Sequence, residues 1–246
     1  MNDQRIKTEI IQRLKASQYD ARAIPETNEK TPDIVACGND ESLLIEIKER
    51  IAPSGYCAED SINTFGLSRQ NRISGVIKES AKQLKAYNHD QAFRLLWIIA
   101  DREWAEDVYE QFRSSAYGLR LVAGNREGRG ILKDAYYVDN SDFYRQRNVL
   151  DGIVVGRTMA GLFLNDHSPK YPELRDSRFR RLFGRYVCDP IELERMGEAL
   201  YLRGDFDRSS HREVVKQLEA QCEIEVGSIT SLIAFDASIP IGAPTE

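Results

Sequence analysis

The chain has 246 residues, 41% of them hydrophobic and 30% charged, which suits one large globular domain or one domain with an appendage. Its formal net charge is −5, so any nucleic-acid surface has to be confined to one side of an acidic molecule. Apolar runs stay short of the roughly twenty residues that cross a bilayer, and the opening stretch MNDQRIKTEIIQRLKAS lacks the apolar core of a signal peptide, so the expectation is a cytoplasmic protein with no membrane partner.

The recurrence of Ile6, Ile10 and Leu14 predicts a first helix over 3–16 with one apolar face. Residues 19–32 are polar and turn-prone, with Pro25 and Pro32 as breakers. Two strands follow over 33–38 and 43–48, with Gly38-Asn39-Asp40 as the hairpin turn between them. The stretch 51–71 reads as a long irregular loop, a kind of segment that is often functional. Residues 73–87, ISGVIKESAKQLKAY, form an amphipathic helix: Ile73, Val76, Ile77, Leu84 and Tyr87 share one side and Lys78, Lys82 and Lys85 the other.

FRLLWIIA (93–100) is a continuous apolar run, the mark of a central strand covered on both faces. A helix over 104–114 and strands over 119–123, 131–138, 150–155 and 160–165 come next. The glycine-rich segment 124–130 lacks the Walker pattern and reads as a loop between strands. After Asp166 an arginine-rich stretch leads to helices over 191–202 and 211–222 and a frayed tail. The expected molecule is therefore α/β, with a central mixed sheet flanked by helices over 1–165 and a helical C-terminal extension over 166–246. Cys37, Cys57, Cys188 and Cys222 include no CxxC pair and are expected as reduced thiols.

The informative stretch is Pro32-Asp33, twelve further residues, then Glu46-Ile47-Lys48. Side chains alternate along a strand, so Leu43, Ile45 and Ile47 share a wholly apolar face while Leu44, Glu46 and Lys48 share the other. That second face sets a carboxylate beside an ammonium on an otherwise buried strand, which is costly unless the pair binds something or is solvated at an edge. Pairing the 33–38 strand antiparallel to this one brings Asp33 back to Glu46 and Lys48. Two convergent carboxylates suit Mg²⁺, which polarises a phosphodiester and activates water, and a lysine beside them can orient that water or stabilise developing charge.

In this spacing and in its element order, residues 1 to about 100 resemble the PD-(D/E)xK nuclease superfamily, whose restriction endonuclease-like core runs helix, three strands, helix, strand. The resemblance implies Asp33, Glu46 and the Ile47 carbonyl as metal ligands, Lys48 as the catalytic lysine, and Mg²⁺ as cofactor, with Mn²⁺ able to substitute. Gln83 and Tyr87 match the QxxxY element of RecB-like members, where they would contact the substrate backbone; core packing is the other reading of Tyr87. Glu9, on the first helix, is the position at which many members place a further active-site glutamate; a surface glutamate is its other reading. The cysteine spacing does not match the iron–sulfur cluster of some RecB-like members, so no cluster is expected.

The implied function is metal-dependent hydrolysis of DNA in restriction, phage defence or repair, with DNA as partner and a homodimer or a defence or repair complex as further assemblies. A catalytically silent DNA-binding protein and a subunit active only within a larger complex are the rival readings. Two basic runs are candidates for DNA contact: Arg69, Arg72 and Lys82 around the second helix, and Arg178 and Arg181 among the aromatics of YPELRDSRFRRLFGR.

Overall fold

The computed structural model describes residues 3–25, 31–38, 40–50, 62–87, 89–100, 104–157, 160–231 and 233–237. Helix α1 (Asp3–Ala16) leads into an antiparallel meander of β1 (Asp20–Ala23), β2 (Ile34–Gly38) and β3 (Glu41–Arg50). After β4 (Ile62–Gly66) and α2 (Asn71–Ala86), β5 (Phe93–Ala100) lies parallel to β3 along its whole length. Helix α3 (Ala105–Tyr117), the hairpin β6 (Arg120–Arg126) and β7 (Arg129–Tyr136), α4 (Asp142–Arg145), β8 (Gly152–Val155) and β9 (Gly161–Leu164) follow. The remaining elements are α5 (Tyr171–Asp176), α6 (Arg178–Arg181), β10 (Val187–Cys188), α7 (Pro190–Arg195), β11 (Ala199–Tyr201), α8 (His211–Cys222), β12 (Glu225–Thr230) and β13 (Ile233–Ala237).

Seven strands make one mixed sheet in the order β1-β2-β3-β5-β8-β9-β10. Alternation along its strands sorts the apolar residues into two cores. Leu43, Ile45 and Ile47 of β3 join Leu95 and Trp97 of β5 under α1, with Leu174, Phe179 and Phe183 closing the same layer. On the other face Leu44, Leu96 and Ile98 meet Ile73, Ile77 and Leu84 of α2 and Val108 and Phe112 of α3. The long apolar run 93–100 is continuous because β5 is covered on both faces. Among the described residues no helix is long and apolar enough to cross a membrane.

A second sheet has the order β11-β7-β6-β12, and β13 pairs with β4. The expected helical extension is corrected here. Residues after 165 also supply β10 to the main sheet, β11 and β12 to the second sheet, and β13 to β4. The helix expected over 191–202 stops at Arg195; Ala199–Tyr201 instead pair parallel to Asp134–Tyr136 and are buried there. The polar stretch 19–32 contains β1, and part of the stretch expected to be irregular is β4; residues 51–61 lie outside the described residues. The glycine-rich segment expected as a loop is instead the paired ends of β6 and β7 joined by a two-residue hairpin turn, Glu127-Gly128, both at positive φ.

Candidate active site

Ile34 pairs with Ile45, so the antiparallel register sets Asp33 opposite Glu46. The backbone N–H of Asp33 donates to the Ile45 carbonyl at 3.0 Å, which continues the ladder one step past β2. The Asp33 carboxylate then turns toward β3, where Oδ2 accepts from the Ile47 backbone N–H at 2.7 Å. Its other oxygen, Oδ1, lies 2.8 Å from Nζ of Lys7, which reaches in from α1.

Glu46 is buried at 1% exposure. Oε1 lies 2.5 Å from Nζ of Lys48, while Oε2 has no hydrogen-bond partner. Burial first, and then the neighbouring Asp33 carboxylate, push the Glu46 carboxyl up to about 7 against the pull of Lys48. Lys48 Nζ also donates to Gln83 Oε1 at 3.2 Å, so α2 closes over the outgoing half of β3. Arg50 follows on the same strand face; burial, and then Arg72 at the start of α2, lower its guanidinium from the ordinary value.

The site thus gathers Asp33, Glu46, Lys48 and Gln83, with Ile47 contributing its amide, and adds Lys7. Sequence reasoning passed over Lys7 and chose Glu9. On α1 the buried stripe Ile6, Ile10 and Leu14 separates the two, because 100° per residue places Lys7 and Glu9 on opposite flanks. Glu9 instead accepts from Arg157 at 2.6 and 2.8 Å and from Arg5 at 3.3 Å, and the Arg157 hydrogen bond lowers its carboxyl below the ordinary value. The signal for Lys7 is a lysine beside the apolar stripe, on the flank that the three-strand meander approaches.

The basic residues divide between faces. Arg69 sits 3.7 Å from Asp142, Lys82 pairs with Glu79 at 2.7 Å, and Arg72 is exposed on the α2 side. Tyr87 lies just past the end of α2, half-buried against the core on that side. Arg178 and Arg181 are on α6, across the sheet. Arg178 donates its backbone N–H to Glu41 at 2.6 Å and a guanidinium N–H to Gln18 at 2.7 Å, and Arg181 caps the Asp176 carbonyl at 3.1 Å. Glu41 opens β3 seven residues before Lys48, roughly 23 Å away along the strand. The second run is therefore not brought to the carboxylates.

The donor set fits a small hard cation. Two carboxylates converge, and Glu46 Oε2 is a buried oxygen lacking any proton donor. Mg²⁺ is ordinarily held by one or two carboxylates with water or phosphate completing its shell. Among the described residues no group of three or more His, Cys, Asp or Glu assembles, and the acidic side chains they bring to this site are Asp33 and Glu46. Comparison of the chain with protein-family models, curated proteins and solved structures gives no match.

Proposed function

We propose that the chain is a Mg²⁺-dependent nuclease that hydrolyses DNA phosphodiester bonds and belongs to the restriction endonuclease-like fold. The observation that carries the reading is the buried Glu46 carboxylate, with Asp33 on one side, Lys48 Nζ at 2.5 Å on the other, and one oxygen without a partner. Helix α1, the antiparallel meander β1–β3, then α2 and the parallel strand β5 support it, with β4 paired to β13 outside the main sheet and with Asp33 just ahead of β2 and Glu46 and Lys48 on β3.

Asp33 and Glu46 would hold the metal, which supplies Lewis-acid polarisation of the phosphodiester and a more acidic water. Ile47 fixes the Asp33 carboxylate through its amide, so that carboxylate is oriented before substrate arrives. Lys48 is the proton-bearing group best placed to face the phosphate, because its side chain is 35% exposed while its partner Glu46 is buried. Gln83 holds the Lys48 ammonium from the α2 side and limits its rotamers. Arg50 and Arg72 continue the positive surface beyond Lys48, where a phosphate backbone can lie.

The second reading, a catalytically silent DNA-binding protein, draws on the two ion pairs: Lys7 with Asp33 and Lys48 with Glu46 already neutralise both acids. Incubation of the purified chain with linear, circular and single-stranded DNA, in Mg²⁺, Mn²⁺ or EDTA, separates them. Metal-dependent cleavage that disappears in Lys48→Ala establishes the nuclease. DNA retention without cleavage by either protein establishes the silent binder.

A further inference from the structure

Among the described residues each of the two acids of this site faces an ammonium group, and the two lysines are not equivalent. The Lys48 side chain is 35% exposed and can move toward a substrate. The Lys7 side chain is 10% exposed, enclosed between α1 and the start of β2, with Nζ 2.8 Å from Asp33 Oδ1. A buried ammonium in that position is a fixed positive charge, held there by the same carboxylate that would ligate a metal ion.

Among the described residues, and with Glu46 ionised, Asp33 and Glu46 contribute −2 and Lys7 and Lys48 contribute +2, so these four groups are together formally neutral. One divalent cation brings it to +2, which an incoming phosphodiester offsets in part. A second would bring it to +4 around a glutamate at 1% exposure, with no third acid grouped nearby among the described residues. The oxygens tell the same story. Asp33 Oδ1 faces Lys7, Asp33 Oδ2 accepts from Ile47, Glu46 Oε1 faces Lys48, and Glu46 Oε2 alone lacks a partner.

We infer that Lys7 is a built-in replacement for a second metal ion, so that the site takes a single divalent cation, held by Glu46 Oε2 and the Asp33 carboxylate. The inference rests on the nuclease reading and specifies its cofactor stoichiometry. Lys7 acts through Asp33 and is a positioning residue: it neutralises the outer oxygen of Asp33 and holds that carboxylate toward Glu46.

The test is a Mn²⁺ titration of the full chain without DNA, read by the electron paramagnetic resonance signal of unbound Mn²⁺. The wild type is expected to bind one ion. Lys7→Met, which removes the charge and keeps the bulk, is expected to bind one ion about tenfold more tightly, because a monovalent charge a few ångströms from a dication is gone. Lys7→Arg is expected to keep wild-type affinity, and Lys7→Glu, which supplies a third carboxylate, to bind two ions. Two ions in the wild type overturn the inference, as does an unchanged or weaker affinity in Lys7→Met. Should Lys7→Met fail to fold, the wild-type stoichiometry and the comparison of Lys7→Arg with Lys7→Glu still decide it: equal stoichiometries overturn it. A wild type that binds no Mn²⁺ overturns the nuclease reading as well, whereas one ion with no response to Lys7→Met overturns the Lys7 inference alone.

Discussion

A carboxyl with 1% exposure, set beside a second carboxylate, is expensive to ionise, and Glu46 accordingly sits at about 7 rather than 4.5. The consequence for stability has a definite sign. Below pH 4.5 Glu46 is protonated in both folded and unfolded chains. As pH rises toward about 7 the unfolded chain releases its proton first, so stability falls, by about 3 kcal/mol once both have ionised. In EDTA, urea denaturation of the wild type is therefore expected to show this fall between pH 5 and 8, and Glu46→Gln to lack it. Identical pH profiles for the two would show that Glu46 ionises in the fold as it does in water.

The same side chains set an order of sensitivity in the cleavage assay. Lys48→Ala is expected to lower the rate by about 100-fold or more, as loss of a transition-state donor does. Gln83→Ala, which removes only a support for Lys48, is expected to lower kcat by about tenfold with KM unchanged. Glu9→Gln, tied to Arg157 on the far flank of α1, is expected to leave the rate intact; a loss as deep as that of Lys48→Ala would place Glu9 back at the reaction. Asp33, Glu46 and Lys48 were legible in the sequence because a two-residue strand period and a short turn fix their relation. Lys7 was not: helical periodicity sets it and Glu9 on opposite flanks of the stripe, and the packing of α1 on the sheet decides which flank meets the carboxylates.

Among the elements, those with a clear period were legible. α1, α2, β3 and β5 all carry apolar residues at the spacing their burial uses. β1 was not, since in DARA only Ala21 is buried and the strand exists by pairing with β2. β11 reads as helix because Glu198, Ala199 and Leu200 favour one, yet parallel pairing with β7 overrides that preference. The join between α3 and β6 shows how tightly such elements are set. Gly118 takes φ 62° and donates its N–H to the Ser114 carbonyl, closing α3, and a Cβ there would run into the Asp139 carbonyl. Gly118→Ala is expected to cost at least about 2 kcal/mol, lowering Tm by roughly 4–8 °C in a thermal melt. An unchanged Tm would mean that the turn relaxes freely.

For the molecule as a whole, the α/β class and the mixed sheet flanked by helices were legible, but the division at residue 165 was not. Short strands such as Val187–Cys188 leave no periodic trace, and what places them is a partner distant in sequence. Phe179 and Phe183 come from the later part and fill the α1 side of the core, where the Phe183 ring lies 6.4 Å from that of Trp97. A fragment of residues 1–165 is therefore expected to lose its cooperative thermal transition and to bind a hydrophobic dye, while the full chain melts in one step. A fragment that melts sharply on its own would restore the boundary.

The pairing of β4 with β13 ties residues 62–66 to residues 233–237. On a ribosome adding about 5–20 residues per second, β4 emerges some ten to thirty seconds before its partner exists. It connects directly to the helix carrying Gln83, so throughout that interval the cover over Lys48 has one anchor missing. Closing so long a loop slows the last stage of folding far more than it alters final stability. A chain still being made would thus hold the cover over Lys48 unfinished until β13 joins β4.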